Sequence, residues 1–393
     1  MSGRVLIAVT HLLGSGHLVR AVQLARALAR AGFSVTLASG GMPLWAMEDE
    51  PFAFLQLPPV RTEGVDFRRL LDETGQPVTP ERMAARIAML EQAAARLAPD
   101  VVLTEHFPFG RRQIADEFLA LIAAARRANP SALVLSSIRD VLVTPKPARI
   151  AEAQERIARL FDAVLVHGEQ SVLPLCRSWP VTEELAAKLL DVGYLGAPAA
   201  VAALAPGAPT MAGHPDGEAE ILVSGGGSAA ALPLFALALQ AASLLPERRW
   251  RVLVGRGVAQ ADLENLAAKA PENVVVEPAR PDFPALLAAC ALSISQAGYN
   301  TVLDLAVARR PAILVPFDAG GETEQGIRAE AFAAAGLATC LRLEGLTPQR
   351  LADAVRDDIG KPVPRWPVPV DDGGRAAAAV RGLLDARRRV SGP

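Results

Sequence analysis

Cysteine is scarce and scattered. The three in the chain, Cys176, Cys290 and Cys340, are odd in number and far apart, so neither a disulfide framework nor a cysteine-based metal site organises the fold. They are expected to be reduced and mostly buried, which points to a cytoplasmic compartment. Aromatic residues make up only 5% of the sequence, and with a net charge of −2 there is no basic field for nucleic acid. Long apolar runs are also missing. Val5 to Val9 is ended by Thr10 and His11 before it reaches signal-peptide length. The longest run, Ala231 to Pro246, is interrupted by Gln240 and falls short of the roughly 20 residues that cross a bilayer. A transmembrane segment is therefore not expected. Peripheral attachment to the inner face of a membrane needs only a few exposed apolar side chains beside basic ones, and the sequence leaves it open.

What is abundant is Ala, Leu and Val in short runs. A chain of 393 residues suits two α/β cores better than one. Two segments share one layout: RVLIAV, a glycine loop, HLVRAVQLARALARAG and FSVTLAS; then EILVSG, a glycine loop, AALPLFALALQAASLL and WRVLVG. This reads as a duplicated strand, loop, helix, strand unit. Further apolar runs at VVLTE, ALVLSS, AVLVHG, NVVVEP, LSISQ and AILVPF have the pattern of parallel strands buried on both faces, with helical periodicity between them. The fold class expected is α/β, with two Rossmann-like parallel-sheet domains. A stretch rich in Gly, Pro and Ala between Leu195 and Glu218 has neither period and marks the linker. The expected division is a first domain over 1–214, a second over 215–370, and a final helix over 371–393 that packs back on the first domain.

Four loops follow buried strands and open helices. In the first, Gly14 and Gly16 would turn backbone N–H groups toward an anion, and His17 at the helix start could take a proton from an attacking hydroxyl. The alternative is a helix cap. In the second, Gly225, Gly226, Gly227 and Ser228 suit a diphosphate. No Lys follows, so this is not a P-loop. The carboxylate a dinucleotide site needs after the next strand is replaced by Gly255-Arg256-Gly257, which counts against NAD and leaves Arg256 as a donor-side candidate. The third carries Gln296, Gly298, Asn300 and Thr301, with Asp304 one turn into the helix, where a carboxylate could grip ribose hydroxyls. The fourth, Asp318 to Gln325, offers partners for sugar hydroxyls through Glu324 and Gln325. Either of the last two could instead be an ordinary acidic helix start. Strand ends are where open α/β sheets place ligands, so the coincidence of three polar loops in the second half carries more than any one of them.

The order of these residues resembles the GT-B glycosyltransferases, in particular the branch containing the bacterial lipid II-forming N-acetylglucosaminyltransferase. SISQAGYNTVLDLAVARRPAILVPF is similar to the donor signature of that family, and GSGHLVR to its first glycine loop. The resemblance implies two domains facing across a cleft, a nucleotide-diphosphate-sugar donor with UDP favoured, and inversion without a metal or resident cofactor. It places Asp304 on the donor ribose, Glu324 and Gln325 near ribose and sugar, Gly298 and Thr301 at the phosphates, and Arg280 and Phe283 beside the base. Against that branch, Gln296 stands for a basic residue, Asp304 for Glu and Glu324 for Gln, so base and sugar stay open.

The acceptor half departs further. The strand end Thr104 to Arg112 stands where the family has a second glycine-rich loop, so a polyprenyl-linked muramyl acceptor is not implied. Glu105, His106, Arg111, Arg139 and Asp140 are candidate acceptor contacts, with a stabilising ion-pair network as the alternative. His167 is a weaker candidate, and His11 and His214 are expected at the surface or in the linker. The acceptor itself, whether saccharide, lipid-linked or small molecule, is not named. Rival readings are a nucleotide-sugar hydrolase using the same His17, a non-catalytic nucleotide-sugar-binding protein, and an NAD(P)-dependent oxidoreductase.

Overall fold

The structure, a computed structural model, describes residues 3–12, 16–44, 47–63, 66–143, 146–196, 219–226, 229–318, 322–362, 366 and 370–391. The chain divides into two compact units. One comprises 1–169, 180–197 and 371–393, and the other 170–179 and 198–370. The linker expected between Leu195 and Glu218 lies almost wholly outside the described residues, as does His214.

In the first unit, β1 (Arg4–Val9), β2 (Ser34–Ser39) and β3 (Ala53–Gln56) are followed by a hairpin, β4 (Arg61–Glu63) and β5 (Asp66–Leu71), and then by β6 (Val101–Glu105), β7 (Leu133–Arg139), β8 (Ala163–His167), β9 (Leu189–Asp191) and the short β10 (Tyr194–Leu195). The main sheet has seven strands in the order β3-β2-β1-β6-β7-β8-β9, all parallel. The order reverses direction between β1 and β6, so the chain leaves neighbouring strands toward opposite faces and opens a crevice at their carboxyl ends. The second unit repeats this with β11 (Ile221–Ser224), β12 (Trp250–Val254), β13 (Val274–Pro278), β14 (Leu292–Ser295), β15 (Ala312–Leu314) and β16 (Thr339–Cys340), ordered β13-β12-β11-β14-β15-β16 and again parallel. Here the reversal lies between β11 and β14.

Every apolar run read from the sequence as a strand is a strand of one of these sheets. The runs work because both faces are covered: alternate residues of β1, β6 and β7 enter different clusters, Val5 and Ile7 on one side and Leu6 and Ala8 on the other. Edge strands β3, β9 and β16 and the hairpin went unread, being short and only partly apolar. The last helix, Gly374–Ser391, returns to the first unit as expected. Ala376, Ala377, Val380 and Leu384 enter its core, Arg381 stacks on Phe33, and Arg387 pairs with Asp162.

Two expectations need correction. Of the three cysteines only Cys290 is buried, while Cys176 is exposed and Cys340 intermediate. His11 is not at the surface but 4% exposed, because it packs against the turn after β2, where a Cβ on Gly41 would lie 2.3 Å from its Nδ1. Among the described residues no helix is long and apolar enough to cross a membrane.

A buried ion pair joins the carboxyl ends of the first three strands. Arg86 lies in the helix Pro80–Leu97, which starts with Thr79 as its cap and a proline in its first turn. Its guanidinium meets the Glu117 carboxylate at 2.7 Å and donates to the carbonyls of Gly40 and Pro58, while Thr10 donates to Glu117. Both charged groups are at most 1% exposed. Burial pushes the Glu117 carboxyl upward, more than Arg86 pulls it down. Removing one partner strands the other charge in the core, so Arg86→Ala is expected to cost about 3–5 kcal/mol, whereas a matched apolar pair at 86 and 117 costs far less. Denaturant unfolding of the three proteins measures this.

Candidate active site

The first unit brings His17, Glu105 and Arg20 together at the reversal between β1 and β6. His17 sits in the first turn of the helix Gly16–Arg30, and Glu105 is the last residue of β6. The imidazole Nδ1 lies 2.8 Å from Glu105 Oε2 and 3.0 Å from Oε1. Arg20, one helical turn beyond His17 on the same face, donates to Oε1 of the same carboxylate. Glu105 is 1% exposed. Of the two roles the sequence leaves open for Glu105, acceptor contact or ion-pair network, the structure shows the second: its carboxylate points inward and stands behind the histidine.

A carboxylate on Nδ1 selects the tautomer with the proton there and leaves Nε2 as the basic nitrogen. By itself Glu105 would also favour the imidazolium. Burial opposes this most strongly, and Arg111, Arg139, Arg20 and His106 act in the same direction, so the His17 pKa lies well below its usual value. Arg20 offsets the Glu105 charge while leaving its hydrogen-bonding intact. The result is an oriented imidazole that is neutral at physiological pH, the form a general base requires.

His106 follows β6 and its ring centre lies 5.4 Å from that of His17. Arg111 and Arg139 are near enough to depress both histidines. Asp140 is fully buried, accepting from the Tyr194 hydroxyl at 2.9 Å and from its neighbour's N–H at 2.8 Å. His167, at the end of β8, is buried with Nε2 2.9 Å from the Ser137 hydroxyl. Its pKa falls to about 3, chiefly by desolvation.

In the second unit the loops at the reversal are braced to one another. Gln296, after β14, donates to the carbonyl of Ala230 at 3.1 Å and so ties its loop to the glycine loop after β11. Gln325 accepts from the N–H groups of Ala297 at 3.2 Å and Phe317 at 3.1 Å, joining the loops after β14 and β15. Arg328, buried, donates to the Ala297 carbonyl at 2.8 Å. Gln296 and Gln325, the donor-side candidates of these loops, thus hold them in place through Nε2 and Oε1 respectively. Gly225 is required by packing, since a Cβ there would lie 2.0 Å from that of Ala231, and Gly226 has φ +70°. Gly14, Gly227 and Ser228 lie outside the described residues.

The helix Tyr299–Ala308 begins at Gly298 with no side-chain cap, so the N–H groups of its first turn, including those of Asn300 and Thr301, face outward as an anion site would need. Asp304, one turn in, is partly buried and desolvation raises it to about 6. Glu324 is buried in the first turn of the helix Glu324–Ala334. Arg280 is engaged elsewhere: Asp282 takes two of its hydrogen bonds, at 2.8 and 2.7 Å, on an exposed turn. Phe283, which opens the next helix, is half-buried, and Arg256 is exposed after β12. Sequence reasoning missed the supporting roles of Arg20, Gln325 and Arg328. For Arg20 a signal existed, its spacing of three from His17.

Residues 220–363 match the Glycosyltransferase family 28 C-terminal domain. The chain is 36% identical over 189 residues to the UDP-N-acetylglucosamine–N-acetylmuramyl-(pentapeptide) pyrophosphoryl-undecaprenol N-acetylglucosamine transferase of Rhodospirillum centenum, covering 47% of this chain and 48% of that protein. It is 38% identical over 171 residues to the transferase of the same name from Brucella canis, covering 42% and 44%. The chain thus spans about half the length of the curated relatives it matches. In fold it is similar to Acinetobacter baumannii MurG, with a TM-score of 0.58 at 17% identity over 98% of this chain and 99% of that one. The calicheamicin glycosyltransferase gives 0.60 at 17% identity over 98% of each. The resemblance to the GT-B glycosyltransferases holds in sequence for the second half and in fold for both units.

Two outcomes follow from the buried groups. His17, His106 and His167 all have folded pKa values below the unfolded value near 6.5. Below about 6.5 the unfolded chain therefore binds more protons, and stability falls as pH drops toward the folded values. Replacing His167 with Gln should remove about 1.4 kcal/mol per pH unit from that slope, read from unfolding between pH 4.5 and 6. For Asp304, a ligand that donates hydroxyls to the carboxylate should bind more weakly as pH falls through about 6. Asp304→Asn should flatten that dependence, measured by UDP titration calorimetry.

Proposed function

We propose that this protein transfers a sugar from a nucleotide-diphosphate-sugar to an acceptor hydroxyl. The observation that carries the reading is the His17–Glu105 pair, an imidazole whose Nδ1 lies 2.8 Å from a buried carboxylate at the carboxyl end of a parallel sheet. The matched second half supplies the donor side, and its named relatives use UDP-N-acetylglucosamine, so a UDP-sugar is the favoured donor.

In the proposed reaction, Nε2 of His17 accepts the proton of the acceptor hydroxyl as its oxygen attacks the anomeric carbon. The bond from that carbon to the nucleotide diphosphate breaks, and the diphosphate leaves with the electron pair. Glu105 keeps the imidazole oriented and stabilises the imidazolium that forms. Charge on the leaving group is met by backbone N–H groups at Gly225–Gly226 and at the uncapped start of Tyr299–Ala308. The hydroxyls of the donor ribose meet Asp304. This scheme uses a single displacement with inversion and asks for no metal. A place in the cytoplasm, with peripheral membrane contact if the acceptor is lipid-linked, fits the same reading.

His17→Ala should lower transfer by about 10²- to 10⁴-fold with donor affinity unchanged. UDP release from a panel of UDP-sugars, together with calorimetric binding, measures both. Turnover that survives the substitution sinks the base assignment, and UDP release that needs no acceptor makes water the acceptor and the protein a hydrolase.

A further inference from the structure

His106 has a cluster of features that packing alone does not account for. Its backbone is left-handed, φ +65°, a conformation that histidine adopts uncommonly and glycine without cost. Two backbone hydrogen bonds hold it there: its N–H donates to the Ser137 carbonyl at 2.9 Å, and its carbonyl accepts from Gly110 at 2.9 Å. The ring is accommodated only because residue 110 is glycine, since a Cβ there would come within 2.4 Å of Cδ2. Its Nδ1 is sealed from solvent with no hydrogen-bond partner among the described residues. The ring centre is 5.4 Å from that of His17, tilted by 53°.

Strain held by surrounding hydrogen bonds is characteristic of sites where a side chain must be presented. Of the two nitrogens, Nδ1 is unavailable to a ligand, and a buried N–H without an acceptor is the costlier way to leave it. The proton therefore belongs on Nε2. One oxygen atom can lie within about 3 Å of a nitrogen on each of two rings at this separation.

We propose that His106 is a second acceptor-binding residue, whose Nε2–H donates a hydrogen bond to the same hydroxyl oxygen that gives its proton to His17. The inference rests on the transferase reading and adds a residue to it. The hydroxyl's proton points to His17 Nε2, one lone pair receives the His106 N–H, and the other faces the anomeric carbon. Two imidazoles of fixed and opposite polarity thus set the direction of attack.

The test separates this role from a structural one. His106→Gly removes the ring and relieves the left-handed backbone, so the protein should be at least as stable while UDP release from UDP-N-acetylglucosamine, with water or methanol as acceptor, falls about tenfold or more at unchanged donor affinity. Gly110→Ala, which displaces the ring without touching either histidine, should reproduce the loss. His106→Asn, which tolerates the backbone and keeps an N–H donor, should recover part of it. Long-range ¹⁵N correlation spectra of the histidine-labelled full chain should show His106 protonated at Nε2 only. Wild-type rates in both His106→Gly and Gly110→Ala, or a proton on Nδ1, overturn the proposal. If His17→Ala also retains full turnover, the transferase mechanism itself fails; if His17→Ala is inactive and His106→Gly is not, only the role of His106 does.

Discussion

The arrangement of the first unit depends on one buried carboxylate. Glu105 ends a central strand, lies almost wholly out of solvent, and is reached by His17 and Arg20 from a single helix face. A lone carboxylate at this depth would be strongly destabilising, and two donors converging on it make its ionised form tolerable. The same contacts anchor the amino end of the first helix to the neighbouring strand at the point where the sheet reverses. One carboxylate thus ties the two side chains together: Arg20 offsets its charge, and its hydrogen bond to Nδ1 selects the tautomer of His17.

The second unit braces its loops by hydrogen bonds between segments. Two amide side chains and one guanidinium do the holding. Gln325 accepts two backbone N–H groups from different loops, and Gln296 and Arg328 each reach a carbonyl of a neighbouring segment. Asp304, on the helix behind the loop, is a poorly solvated carboxylate raised to about 6 by desolvation.

Much of this was legible before any coordinates. Runs such as VVLTE and AILVPF announced strands because parallel sheets covered on both faces need continuous apolar sequence, and the glycine loops announced turns for which few other residues serve. His17 and Asp304 were identified by residue type and position after a strand. The edge strands β3, β9 and β16 and the hairpin are not legible, because short, half-exposed pairing leaves little hydrophobic pattern. Nor is the burial of His11, which depends on what packs over the strand end.

Sequence alone determined the α/β class, the repeated strand–loop–helix unit, the strands at the centre of each sheet and the loops that gather at their ends, since these follow from local periodicity and backbone preference. Tertiary structure alone decided what each polar side chain bonds to. Glu105 meets a histidine 88 residues away, Asp140 meets Tyr194 across 54, and Gln325 reaches back 28 to Ala297. Arg280, expected at the donor, is taken by Asp282 two positions on. Hydrogen bonds act over about 3 Å and the chain brings such distant atoms together only once the sheet is formed, so residue type could name the candidates but not their partners.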